Sequence, residues 1–149
     1  MLHGDVGISE VQNIYNEFNS LGIPIRFTHT NSLIGTNHLG DFKANLFTSM
    51  ADNGMNEILV NSECLEEYLR KAFPNFKYIS STTKCLLSDD EIEKESEKYY
   101  LTVLDYRKNI NKDYLYGLKN PEKYEILLNA YCNPNCPRRE EHYLQLSED

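Results

Sequence analysis

The chain has no tryptophan, seven glycines and five prolines in 149 residues. No apolar run approaches the roughly 20 residues that a membrane-spanning helix needs. There is no Gly-x-Gly-x-x-Gly turn for a dinucleotide and no His-Glu-x-x-His zinc helix. Repeats, low-complexity tracts and linker composition are missing too. The opening Met1-Leu2-His3-Gly4-Asp5 lacks the basic-then-apolar start of a secretory signal. Positive charge is scarce, with 15 Lys plus Arg against 23 Asp plus Glu and a net charge of -8. The surface field therefore repels phosphate backbones and anionic lipid, which argues against nucleic-acid and membrane partners. A cytoplasmic location is the expectation.

What is present is enough for a core. At 40% hydrophobic residues, residues 1–149 read as one domain. Its pattern alternates. Val11, Ile14, Tyr15, Phe18 and Leu21 fall on one helical face after Ser9, a candidate N-cap, and Gly22 follows as a stop. Residues 24–29 read as a strand, 41–52 as a helix and 57–60 as a buried strand. Cys64, Leu65, Tyr68, Leu69, Ala72 and Phe73 then form one helical stripe that Pro74 ends. Residues 76–80 read as a strand. Ser88 to Glu91 has the spacing of a capping box for an acidic helix. Residues 100–104 read as a strand, 113–118 as a short helix, 124–128 as a strand and 137–146 as a last helix. Strands separated by helices run parallel, so the fold class is α/β, and both a doubly wound sheet and a (β/α) barrel fit.

In such folds the ligand side is the carboxyl end of the strands. Here the exits are polar: His29 to Ser32, Asn61-Ser62, Ser80 to Cys85, Asp105 to Arg107, and Asn129 to Cys132. Helix capping accounts for part of this. It does not account for His29, Lys84 or the thiols. Four cysteines, Cys64, Cys85, Cys132 and Cys136, allow disulfides, but without a secretory signal free or metal-bound thiols are the expectation. Cys132 and Cys136, four apart in a proline-stiffened loop, could share a zinc ion or an iron–sulfur cluster. Cys136 is expected at a helix N-terminus with Pro137 as first helical residue, where partial positive charge favours a thiolate. Cys85 could be a third ligand. His142 is a further candidate, although six residues on from Cys136 it has turned about 240° unless the helix starts late; the alternative is that it packs the helix onto the sheet. Lys84 is a candidate Schiff-base lysine. Asp105 is a candidate general base or metal ligand, or else a cap or a partner of Arg107, and His29 is either catalytic or hydrogen-bonded to a neighbour. Cys64 reads as a small core residue.

Several segments together resemble the barrel domain of peptidase U32-like proteins. They are Gly22-Ile23-Pro24-Ile25-Arg26-Phe27-Thr28, Asn56 to Ser62, Phe73 to Lys77 leading to Ile79-Ser80-Ser81-Thr82, Val103-Leu104-Asp105, and Leu127-Leu128-Asn129 with Cys132, Cys136-Pro137, Arg138 and His142. The resemblance spans about Ile8 to Tyr143 and implies a (β/α)8-type barrel. It also implies, for some members, collagenase-like peptidase activity or an iron–sulfur cluster supporting oxygen-independent hydroxylation. The four-cysteine cluster pattern of the better-known members has no match here. Cys132 and Cys136 correspond instead to a C-x3-C-P-x-R segment of more distant relatives.

A complete barrel needs about 250 residues and eight strands. Five are legible here. The expectation is the C-terminal portion of a longer barrel, with exposed sheet edges that invite a homo-oligomer or an incomplete barrel. Three functions follow: an enzyme with a metal or iron–sulfur rim, a non-catalytic module holding a peptide or partner, or a metal-free hydrolase or lyase using Asp105, His29 or Lys84.

Overall fold

The computed structural model describes residues 7–130, 132–133 and 135–148. Its elements alternate: α1 (Ile8–Ser20), β1 (Arg26–His29), α2 (Phe42–Met50), β2 (Glu57–Val60), α3 (Glu63–Ala72), β3 (Lys77–Ser80), α4 (Asp89–Lys98), β4 (Leu101–Val103), α5 (Tyr106–Asn109), α6 (Lys112–Tyr116), β5 (Tyr124–Glu125) and α7 (Arg139–Glu148). The α/β class is therefore as expected. The five strands form one parallel sheet in the order β1-β2-β3-β4-β5, each paired with its successor in the chain. A closed barrel is not present, because β1 and β5 remain separate edges.

Several elements differ from the sequence reading, each for a local reason. The first helix is capped at Gly7, whose carbonyl accepts from Glu10 and Val11 N–H, and not at Ser9. Ser88 does precede α4, but its side chain makes no capping bond, so the helix start rests on Asp89, Asp90 and Glu91 meeting the positive end of the dipole. The last strand stops at Glu125 because the Leu127 carbonyl accepts from the Asn109 side chain (2.8 Å) and not from a ladder N–H. The final helix begins at Arg139 and not at Pro137; its first i→i−4 bond runs from His142 N–H to the Arg138 carbonyl. Glycine supplies the left-handed backbone at two turns, Gly22 (φ 75°) and Gly54 (φ 82°).

Strand residues alternate between two faces. Phe27, Ile58, Val60 and Tyr78 pack with Ala51, Leu69, Phe73, Phe76 and Tyr99 into the main apolar cluster under the helices. Asn56, fully buried, ties the end of α1 to this layer: it accepts from Ile25 N–H (2.8 Å) and donates to the Ala51 carbonyl (2.9 Å).

The opposite face carries Arg26, Glu57, Leu59, Ile79, Leu101, Val103 and Glu125. Here Arg26 bonds both Glu57 (2.8 Å) on the adjacent strand and Glu125 (2.8 Å) on β5. Four strand spacings of a flat sheet would separate β1 from β5 by about 19 Å, beyond the combined reach of an arginine and a glutamate. The sheet is therefore strongly curled, and Ile79 and Val103 are buried on its concave side. Helix α7 crosses the strand-end mouth. At its start Arg139 stands beside Asp105, and at its end Ser147 holds Asn31 and Ser32 of the β1 exit. No described helix is long and apolar enough to cross a membrane.

Candidate functional site

Much of the polarity at the strand exits closes on itself. Ser62 caps α3 and also donates to the Ile34 carbonyl (2.8 Å); Ser81 accepts from Thr83 N–H (3.2 Å); Asn61 donates to the Thr83 hydroxyl (2.7 Å). These side chains finish turns. The three candidate catalytic residues go to three different places.

His29 leaves β1 on the helix side, where it lines a cavity of about 560 Å³ with Ile34, Leu39, Asn45 and Tyr68 between the β1 exit, α2 and α3. Burial pushes its pKa down, so the ring is neutral, and its Nε2 has no hydrogen-bond partner. Lys84 lies between α3 and α4. It donates to Glu95 (2.6 Å) and to the Tyr99 hydroxyl (2.7 Å), and Glu66 stands 4.0 Å away. Those contacts hold the amine in the polar network between α3 and α4.

Asp105 caps α5 by accepting from Arg107 N–H (2.8 Å), and the Arg107 guanidinium grips both carboxylate oxygens (2.8 and 3.1 Å). Arg139 Nε stands 3.4 Å from Oδ2. Burial alone would raise the Asp105 pKa, but the Arg107 hydrogen bonds and the charges of Arg107 and Arg139 hold it below its ordinary value. It is a locked carboxylate, serving as the cap and Arg107 partner that its position suggested.

The rim around Asp105 holds the densest chemistry. Cys85 has a left-handed backbone (φ 55°), and burial first, then the Asp105 charge, pushes its thiol up to about 11. Cys136 lies three residues ahead of α7 and not at its first turn, because the segment before the helix is a tight turn in which Cys136 N–H donates to the Asn133 carbonyl (3.0 Å) and Asn135 N–H to the Asn133 side chain (3.1 Å). The expected thiolate-stabilising dipole is thus displaced from it. His142 is exposed on α7, while Tyr143, the neighbour expected to pack this helix with it, is half-buried and bonds Arg139. All four cysteines are free. Among the described residues no group of three or more His, Cys, Asp or Glu is placed to hold a metal ion. A zinc ion or iron–sulfur cluster does not fit on the described residues alone: no third ligand joins Cys132 and Cys136, and Cys85 is a half-buried thiol whose pKa is pushed up by burial and the Asp105 charge.

Arg139 was not among the sequence candidates. It is 2% exposed, lies against the rings of Tyr106 and Tyr143, and donates from Nη2 to the Tyr143 hydroxyl (2.8 Å). Its Nε and Nη1 have no hydrogen-bond partner; the Asp105 contact is a charge pairing outside bonding geometry. Tyr143 also lines a cavity of about 220 Å³ under α7, with Thr30, Asn31, Thr83 and Ser147. Only the i, i+4 spacing of Arg139 and Tyr143 could have signalled this pair. A second missed group is Glu66, 2% exposed, which bonds the Tyr99 hydroxyl and Arg70 (2.8 Å) and has Lys98 at 3.4 Å. Comparison with protein-family models, curated proteins and solved structures finds no match to this chain.

Proposed function

We propose that this chain is an arc of a U32-like (β/α) barrel and that it binds a small carboxylate or phosphate at the strand-end rim under α7. The observation that carries the binding reading is Arg139: a buried guanidinium with two free donors, at the strand ends, joined through Tyr143 to a small polar cavity. Free buried donors cost about 1–3 kcal/mol each, and a ligand oxygen relieves that cost. A volume of 220 Å³ suits a molecule well below drug size.

The barrel reading draws support from register. Shifting one residue per strand, as an eight-stranded barrel does, brings Arg26 of β1, Ile79 of β3 and Glu125 of β5 to one level. Leu59 and Val103 form the next level, so side chains from alternate strands layer the concave face.

Titration with inorganic phosphate and with acetate, followed by amide NMR shifts, tests the binding reading. At least one should bind saturably, and Arg139→Lys, which keeps the charge and loses the fork, should weaken it about tenfold or more. Shifts that do not saturate, or equal affinity in the variant, reject the reading.

A second reading is a metal ion or iron–sulfur cluster on Cys132 and Cys136, with the remaining ligands from a partner; it is supported by the hydrogen-bonded turn that starts one residue after Cys132 and ends at Cys136. Anaerobically purified protein should then carry stoichiometric iron or zinc that a Cys132→Ser/Cys136→Ser variant loses. Metal-free protein of unchanged stability eliminates it.

A further inference from the structure

Residues 30–41, which join β1 to α2, make a long connection, whereas the next exit, from β2 to α3, needs only residues 61–62. Strand-to-helix loops commonly take about 2–6 residues. The extra length is not slack. Ser62 Oγ donates to the Ile34 carbonyl (2.8 Å), Asn45 Nδ2 donates to the Leu39 carbonyl (2.8 Å), and Gly35 N–H donates to His38 Nδ1 (3.0 Å). Pinned at these points, the loop forms a fixed wall of the cavity of about 560 Å³ that His29 lines. Packed interiors leave few voids larger than a water molecule, whereas ligand cavities run to about 300–1,000 Å³.

The lining selects by charge. Ile34, Leu39, Leu65 and Leu69 supply apolar wall, and among the described residues no lysine or arginine joins them. The one carboxylate, Asp41, caps α2 by accepting from Ala44 N–H (2.8 Å). An anion here would lose its water and find no counter-charge. The polar groups are few. Thr48 turns its hydroxyl onto the Ala44 carbonyl of its own helix (2.7 Å), and the Tyr68 hydroxyl donates to Asn45 Oδ1 (3.0 Å). His29 is the exception: burial keeps it neutral, and its Nε2 has no partner. Stacking on Phe27 (ring centroids 6.4 Å) fixes the plane of the ring. A neutral imidazole carries one N–H and one lone pair. A hydroxyl both donates and accepts, so it satisfies that ring in either tautomer, which a carbonyl or an ether cannot do.

We propose that this cavity is a second binding site, one that takes a neutral, mostly apolar molecule with a single hydroxyl, of the phenol class, whose hydroxyl bonds the His29 ring. It stands apart from the rim and rests neither on Arg139 nor on the barrel reading. The aliphatic walls bury the body of the ligand, and His29 sets its orientation.

The test titrates the full chain at neutral pH with 2-naphthol and with 2-naphthoate, alike in size but uncharged and anionic. Amide shifts and the ring nitrogen resonances of His29 are followed by NMR. 2-Naphthol should bind saturably, shift Ile34, Leu39 and Tyr68, and move a His29 nitrogen, while 2-naphthoate should bind about a hundredfold more weakly or not at all. His29→Phe keeps a ring on Phe27 and loses both nitrogens, so it should weaken 2-naphthol about tenfold. Shifts that do not saturate, comparable affinity for the two probes, unmoved His29 nitrogens, or undiminished affinity in folded His29→Phe would each overturn the proposal. The nitrogen shift is read on the native chain, so a variant that fails to fold leaves the test standing. Phosphate and acetate report on Arg139 and 2-naphthol on His29, which tells failure at the rim from failure here.

Discussion

Replacing Glu66 with alanine should lower the unfolding free energy by about 3–5 kcal/mol, measured by urea denaturation. Glu66 is 2% exposed on α3, in the first turn of a helix whose other inward residues are apolar. It accepts from the Tyr99 hydroxyl and from Arg70 Nε, and Lys84 and Lys98 lie at 4.0 and 3.4 Å. Removing the carboxylate leaves the cations facing one another and Tyr99 without its acceptor. Glu66→Gln keeps the shape and one acceptor, so it should cost less. Burial alone would raise the Glu66 pKa, but the bonds from Tyr99 and Arg70 and the two lysine charges hold it below its ordinary value. A depressed folded pKa means that the carboxylate stabilises fully above its unfolded value of about 4.3 and that this stability is lost as pH falls through the folded one. The gap between the native chain and Glu66→Gln should therefore shrink below about pH 4. A gap that widened with acid would contradict the network.

Asp105→Ala is the companion case at the rim, again with a loss of about 3–5 kcal/mol expected. The substitution removes the cap of α5, the two-pronged partner of Arg107 and the counter-charge of Arg139 at once. The last matters most, since a buried guanidinium beside two tyrosine rings would keep its charge with no anion near. A cycle with Arg139→Leu separates these effects. If the uncompensated charge dominates, the double variant should lose less than the sum of the two single losses, by an interaction energy of about 1–3 kcal/mol. Additive losses in urea melts would show that Asp105 acts chiefly as a cap.

The alternation of strands and helices could be read from the chain because each unit is local: an apolar stripe, a stop such as Gly22 or Pro74, then a β-branched run. The direction of the sheet followed from the same pattern. Its curl did not, because the pair that reports it, Arg26 and Glu125, is separated by 99 positions and neither residue is unusual in its own segment. The candidate site fared unevenly for a similar reason. Polar strand exits pointed to one end of the sheet, yet strand residues point alternately to two faces. His29 therefore went to the helix side, while Lys84, in the turn after β3, met α3 and α4, and Asp105, capping α5, went to the mouth. Arg139 was hidden because the groups that meet it, Asp105 and Tyr106, lie far away in the sequence and nothing in its own segment marks it.

The bracing of the curled sheet also dictates an order of events. Each strand pairs with its successor, so β1 through β4 can assemble one unit at a time as the chain leaves the ribosome, with short loops to close at each step. The ties across the mouth are different: Asn31 must wait for Ser147, 116 positions later. During synthesis the concave face is consequently open to solvent and to chaperones, until the final helix emerges. Removing α7 should release the Asn31 and Ser32 ties while keeping the strand pairing and the Arg26–Glu125 brace, so that the mouth opens and the sheet stays curled.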